Sequence, residues 1–335
     1  MKTFARRAIP TAIHASLGLA MVGMTLPAIA AQTITVGHTT ADTSHYSAGV
    51  DAFKERLEEL SGGEFTVQEH SAGALGGERA MIEGLQIGTI DTVITSTGPL
   101  GNFVPETYVL DLPFLFADYD QARCVLDSEI GQDLLDMMGE HDLVGLAWTE
   151  NGFRHMTNSR REVKQPDDAS GLKIRTMENK MHMAAFEELG VHPTPMAFPE
   201  VFTALQQGTV DGQENPISVI LTSNLWEVQD YLTLTGHVYS PAIMLASPIL
   251  WEGLSEEEQG WFLEAAHAGA EATREMVSRL ETEGVEELKE KGMTVVDDID
   301  KSQFQQAVEP SYSVYTDEYG SEWLDRIRAS ECSSQ

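Results

Sequence analysis

Beyond its first thirty residues this 335-residue chain has no run of about 18 apolar residues, the least that spans a bilayer. It has only two cysteines, Cys124 and Cys332, and no C-x-x-C pair, which leaves a redox or zinc-ribbon reading without support. Its histidines, among them His38, His45, His70, His155, His182, His192 and His237, show no H-E-x-x-H or comparable ligand spacing. There is no G-x-S-x-G elbow, no Walker loop and no dinucleotide fingerprint. No metal and no cofactor are therefore expected, and a secreted hydrolase with scattered catalytic residues is kept as the alternative from another class. Basic residues are also scarce: 21 Lys and Arg stand against 53 Asp and Glu, for a net charge of -32. Such a field repels nucleic acid and anionic lipid head groups, so neither is expected as a partner.

What is present begins with an export signal. Lys2, Arg6 and Arg7 precede an apolar run from Ala8 to Leu26, and Ala28-Ile29-Ala30 offers the small residues of a signal-peptidase site. Residues 1–30 are read as a leader cleaved near Ala30, which makes the mature chain periplasmic. Removing the leader's three cations takes the net charge from -32 to -35. The acids fall mostly on helix faces, such as Glu256, Glu257 and Glu258, as on a surface adapted to high salt, where screening shrinks long-range repulsion. An oxidising compartment permits a Cys124–Cys332 disulfide; their distance in sequence leaves the pairing open.

The mature chain is long enough for two lobes. A strand at Thr33 to Gly37, a helix with Val50, Phe53, Leu57 and Leu60 on one face, a strand at Glu64 to Glu69 and a helix from Glu78 to Ile87 follow one another. This alternation predicts an α/β fold with mostly parallel sheets covered by helices on both faces. Glu78 reads as a first-turn helix acid. Residues 84–92, GLQIGTIDT, echo residues 204–212, ALQQGTVDG. Each copy reads as a helix end, a capping glycine and a strand entering a sheet, either by chance or because two similar lobes face a cleft. Ser255-Glu256-Glu257-Glu258 forms a capping box that opens a helical region to about Lys291, whose continuity Gly269 and Gly284 put in question.

The stretch from Gly171 to Pro216 is the most informative: GLKIRTMENKMHMAAFEELGVHPTPMAFPEVFTALQQGTVDGQENP. It predicts a strand from Leu172 to Thr176, a helix stopped by Gly190, a strand around Pro195 to Phe198, a helix ending at Gly208, and a strand delivering Asn215 to a helix start at Pro216. Arg175, set between Ile174 and Met177, is partly desolvated by its neighbours and needs an anion, from either a ligand or an internal acid. Asn215 before Pro216 reads as a helix N-cap.

This block closely resembles the substrate-binding proteins of tripartite ATP-independent periplasmic (TRAP) transporters. The resemblance extends over nearly the whole mature chain, through GGERAMIEGLQIGTID and DLPFLF. It implies a two-lobed α/β periplasmic binding protein with a ligand cleft between lobes and a long helix spanning both. The expected boundaries are 31–151 plus about 241–275 for one lobe and 152–240 plus about 276–335 for the other. The lobes are expected to close about strands near Glu150 to Phe153 and His237 to Ala242. By the same resemblance, Arg175 of K-I-R grips a substrate carboxylate and Asn215 of D-G-x-E-N-P lines the cleft. Arg154, in ENGFRHMTNSR, matches the second basic position, with an inter-strand ion pair as its other reading, and Phe198 matches an aromatic wall. Thr39, Thr40, His45, Ser96 and Thr97 are the matching candidates from the first lobe; Glu178 either receives a substrate hydroxyl or amine, or favours a helix start. Members that bind sialic acid carry an acid and a base where this chain has Ser96 and Pro99, which speaks against that substrate. The implied function is capture of an organic carboxylate, a C4-dicarboxylate or a sugar acid, by a monomer that delivers it to a small and a large membrane subunit. A zwitterionic compatible solute or an amine is the alternative ligand.

Overall fold

The computed structural model describes residues 1, 3 and 31–334. The leader and its cleavage site, expected over 1–30, otherwise lie outside the described residues. Among the described residues nine strands form one sheet: β1 (Gln32–Gly37), β2 (Phe65–His70), β3 (Thr92–Ser96), β4 (Val144–Asn158), β5 (Lys173–Thr176), β6 (His192–Pro195), β7 (Gly212–Pro216), β8 (Tyr231–Ala246) and β9 (Thr294–Val296). Their order is β2-β1-β3-β8-β4-β7-β5-β6, with β9 on β8.

Two strands, β4 of 15 residues and β8 of 16, are far longer than the rest. The carboxyl half of β8 pairs with β3 and the amino half of β4, while its first residues pair with β9 and the end of β4. The sheet thus has two halves sewn together by the two long strands. The expectation of a mostly parallel sheet holds away from this seam and fails at it. The outer pairs β1–β2, β1–β3, β5–β6 and β5–β7 are parallel, but β3–β8, β4–β8 and β4–β7 are antiparallel. A chain that crosses by β4 and returns by β8 must run them in opposite senses. The β4–β8 register shifts between Glu150 and Gly152, and Gly152 takes a φ of 116° there.

The helix His45–Leu60 starts where Ser44 accepts from the Ser47 amide at 3.4 Å, and it buries Val50, Phe53 and Leu57 as their spacing requires. The strand expected around Pro195 to Phe198 lies earlier, at β6, and Phe198–Glu200 forms a 3-10 turn. Pro193 and Pro195 are tolerated in β6 because it is an edge strand.

The echoed segments adopt the same turn. Gly88 and Gly208 have φ of 71° and 68°, and Thr89 and Thr209 each donate to a carbonyl five residues back at 2.9 Å. Asp91 then accepts from the Thr35 amide of β1 at 2.8 Å, and Asp211 from the Lys173 amide of β5 at 2.9 Å. Each half thus ties a helix exit to the neighbouring parallel strand in the same way.

The capping-box helix is continuous over Glu256–Glu290, 35 residues, about 50 Å at the usual rise. Its first half packs Phe262, Ala265, Ala266 and Ala270 into the core with Ile34, Phe53 and Met244, and its end places Leu288 with Ile217, Leu221 and Leu232. Gly269 survives mid-helix because the backbone of Gly49 crosses it: a Cβ there would sit 2.8 Å from the Gly49 carbonyl oxygen. The pairing left open by the sequence is also settled: Cys124 and Cys332 form a disulfide with Cα atoms 5.7 Å apart.

Candidate functional site

The carboxyl ends of β1, β3, β5 and β7 converge on one small pocket, the usual place for a ligand in an open α/β sheet. It is lined by Thr39, Thr40, Tyr46, Glu78, Ser96, Asn151, Arg175, Met177, Phe198, Asn215 and Val219. A wider open depression lies elsewhere, against Pro113, Phe114, Tyr312 and Arg328, and contains none of the candidate residues.

Arg175, 1 % exposed, is carried into the pocket by β5. Its Nε and Nη2 donate to the Met196 carbonyl at 3.0 and 2.6 Å, and its Nη1 is buried without a partner. The guanidinium carbon stands 5.8 Å from the centre of the Phe198 ring. Burial, reinforced by the neighbouring Arg154 charge, lowers the Arg175 pKa to about 10 against the pull of Glu214. A buried cation with an empty donor and no direct carboxylate partner is built to receive an anion.

Arg154 sits behind this wall. It is fully buried, pairs through Nε with Glu214 Oε2, and donates from Nη2 to the Glu214 carbonyl at 2.7 Å, to Glu214 Oε1 at 2.8 Å and to Asn215 Oδ1 at 3.2 Å. Its Nη1 is also buried and unpartnered, although Arg154 does not line the pocket. Burial alone would raise the Glu214 pKa, but Arg154 and a 3.2 Å contact with His237 Nε2 hold it well below the usual carboxylate range. Burial in turn lowers His237 to about 4.

Asn215 lines the pocket and donates from Nδ2 to Gln213 Oε1. The expected N-cap role is corrected: Pro216 takes that position and the helix Ile217–Thr222 starts one residue later. Thr39 and Ser96 line the opposite side, with Ser96 Oγ also 3.2 Å from Ser240 Oγ and 3.4 Å from Met177 Sδ. Like Arg154, three more candidates stand off the wall. Thr97 donates to Asp111 Oδ1 at 3.0 Å, and His45 Nε2 lies 3.2 Å from Asn151 Oδ1. Glu178 offers only its carbonyl to Asn102 at 2.6 Å. Burial drives the His45 pKa down to about 3, so at neutral pH it is an uncharged support for Asn151.

Glu78 shows what the sequence reading missed. It does occupy the first turn of its helix, yet it is 7 % exposed and lines the pocket. Its Oε1 accepts from the Ser96 amide at 2.9 Å and from Thr95 Oγ1 at 3.2 Å, while Oε2 has no hydrogen bond among the described residues. Burial raises its pKa, and Arg175 and Arg154 restrain the rise. Nothing local separates this acid from the many solvated helix acids. Tyr46, Asn151, Met177 and Val219 are likewise brought in by tertiary packing, while Thr40 lines the pocket beside Thr39.

Fold and site together define a two-lobed solute-binding protein. The chain belongs to the bacterial extracellular solute-binding proteins, family 7, whose model matches residues 36–318. It is 48 % identical over 304 residues to a solute-binding protein of Verminephrobacter eiseniae, covering 91 % of each chain. It is similar to the crystal structure of a TRAP periplasmic solute-binding protein from a Polaromonas species bound to D-erythronate, with 52 % identity, a TM-score of 0.88, and coverage of 89 % of this chain and 99 % of that one. A TRAP periplasmic solute-binding protein from a Bordetella species, with density interpreted as pantoate, gives 51 % identity, a TM-score of 0.87 and the same coverage. Among the described residues no helix is long and apolar enough to cross a membrane.

Proposed function

We propose that this protein captures a short hydroxylated carboxylic acid in the periplasm, after cleavage near Ala30, and presents it to the small and large membrane subunits of a TRAP transporter. The observation that carries the reading is Arg175, a buried guanidinium with one empty donor on the wall of a small pocket. Each charge-assisted bond to a carboxylate is worth about 1.5–3 kcal/mol. Glu78 and the hydroxyls of Thr39, Thr40 and Ser96 line the side facing it, and they suit ligand hydroxyl groups better than a second carboxylate. D-erythronate and pantoate, the ligands of the two similar structures, are hydroxylated monocarboxylates and support this choice. Asn215 and Phe198 complete the anchoring side; Arg154, Thr97, His45 and Glu178 act from behind it.

The lobes, 31–151 with about 241–275 and 152–240 with about 276–335, close on the ligand about the Glu150–Gly152 irregularity of β4 and the facing part of β8. The protein binds its ligand as a monomer and without turning it over. Its acidic surface suits high salt, so the melting temperature rises with sodium chloride.

A zwitterion is the second reading, because Glu78 facing the same pocket as Arg175 offers an ammonium partner. Mass spectrometry of the copurified compound, with a thermal-shift screen of D-erythronate, succinate, ectoine and a neutral sugar, separates the two. D-erythronate is expected to stabilise most, and the copurified acid to be recovered unaltered after long incubation. Stabilisation only by neutral or cationic compounds would overturn the carboxylate assignment.

A further inference from the structure

A second polar chain reaches the pocket from the side opposite Arg175. His38, fully buried, follows β1, and its Nε2 lies 2.7 Å from Glu69 Oε1. Its Nδ1 lies 3.2 Å from Thr40 Oγ1, and Thr40 Oγ1 lies 2.7 Å from Ser44 Oγ. Ser44 Oγ accepts from the Ser47 amide as the helix cap, and the Ser47 hydroxyl donates to Glu69 Oε1. Thr40, 4 % exposed, lines the pocket.

Proton counting gives each of these bonds a direction. Glu69 is held below the usual carboxylate range, chiefly by its bond to His38 and against the effect of burial, so it is ionised and accepts only. His38 Nε2 therefore donates to Glu69, and Nδ1 faces the Thr40 hydroxyl as its acceptor. A fully buried acceptor left empty is costly, and the Thr40 hydroxyl is within reach to fill it. Thr40 spends its single proton there and receives one from Ser44. One lone pair remains on Thr40 Oγ1, and no proton.

Resting on the hydroxy-acid reading above, we infer that the Glu69–His38–Thr40 relay fixes Thr40 as a one-way acceptor for a ligand hydroxyl and so selects hydroxy acids over dicarboxylates. Thr40 touches the ligand; His38 and Glu69 are positioning residues. A second carboxylate placed against Thr40 would meet a lone pair, with the Glu78 carboxylate on the same pocket wall.

The test is calorimetry on the secreted protein with D-erythronate and succinate, together with nitrogen-15 spectra of the histidine rings. The spectra should show His38 protonated at Nε2 and bare at Nδ1; a proton on Nδ1, with or without one on Nε2, would overturn the relay. Thr40→Val should weaken D-erythronate about tenfold, the loss of one hydrogen bond, while Thr40→Ser retains binding. Glu69→Gln, whose amide donates to Nε2 and lets the ring proton move to Nδ1, should release the Thr40 proton toward the pocket. The preference for D-erythronate over succinate should then fall about tenfold in a folded protein. If the wild type binds D-erythronate but Glu69→Gln leaves that preference within about twofold, and Thr40→Val weakens both acids equally, the relay is wrong and the hydroxy-acid function stands. If the wild type binds no hydroxy acid, both fall.

Discussion

The two walls of the pocket share a backbone plan and differ in sign. On one, the ends of β1 and β3 bring Thr39, Thr40 and Ser96 together with Glu78; on the other, β5 and β7 bring Arg175 and Asn215. The same helix exit, left-handed glycine and aspartate-to-strand bond brace each half. Yet the first wall has a buried carboxylate and side-chain hydroxyls, and the second has a guanidinium with another guanidinium behind it. Architecture is repeated while charge is inverted, and on the function proposed above the inversion would orient an asymmetric ligand, carboxylate toward Arg175 and hydroxyls toward Glu78 and Thr40.

The largest effect should come from breaking the cationic wall. Arg175→Lys keeps the charge but loses the planar fork, and D-erythronate affinity should fall about 100-fold in calorimetry with the fold intact. Undiminished binding would remove Arg175 from the anchoring role.

Acid should then act on the supports behind each wall. Burial lowers His237 to about 4 and His45 to about 3, against 6.5 for a free ring. The unfolded chain therefore takes up protons near 6.5 that the folded one refuses. The stability these two histidines contribute is complete above 6.5 and is lost as the pH falls toward 4 and then 3, on the order of 2 kcal/mol each by about pH 5. Denaturant midpoints measured between pH 7 and 5 should drop accordingly, and a flat profile would mean that the rings are not held neutral.

The acceptor wall gives a smaller and selective effect. Glu78→Gln should weaken D-erythronate about tenfold and strengthen succinate, because it removes the negative charge beside the ligand's far end. Equal losses for both acids, read by competition calorimetry, would show that the two walls do not divide the ligand as described. The smallest change is Phe198→Leu. It removes an aromatic face from Arg175 and should cost about 0.5–1 kcal/mol of affinity, with no change in which acid is preferred.

The cationic wall was legible in the sequence because its residues are local. Arg175, Phe198 and Asn215 lie within one block, and an arginine inside an apolar strand already demands a partner. The acceptor wall was only half legible. Thr39 and Ser96 could be placed at strand ends, but Glu78 reads like any first-turn acid, and its partners Ser96 and Thr95 come from β3, further along the chain. Arg154 shows the opposite limit: its ion pair with Glu214 was foreseeable as an inter-strand contact, but that it would keep a buried, unpartnered Nη1 was not. In the fold, the alternation of strand and helix marked the parallel outer pairs, while the antiparallel seam of β4 and β8 depends on a crossing that no local pattern encodes. Gly269 argued against a continuous helix until its contact with Gly49 gave it a reason to be there.

The pairing of β3 with β8 governs the order in which the molecule can be built. Ser96 meets Ala242 across that seam, so the edge of β3 stays open until more than a hundred further residues have emerged. A contact so distant along the chain forms slowly, and an edge left unpaired in the meantime is exposed to wrong partners. The Cys124–Cys332 bond cannot close until 208 residues beyond Cys124 have arrived. For a chain released amino end first, the pocket is a late product of assembly, and no amino-terminal fragment that stops short of β8 can carry it.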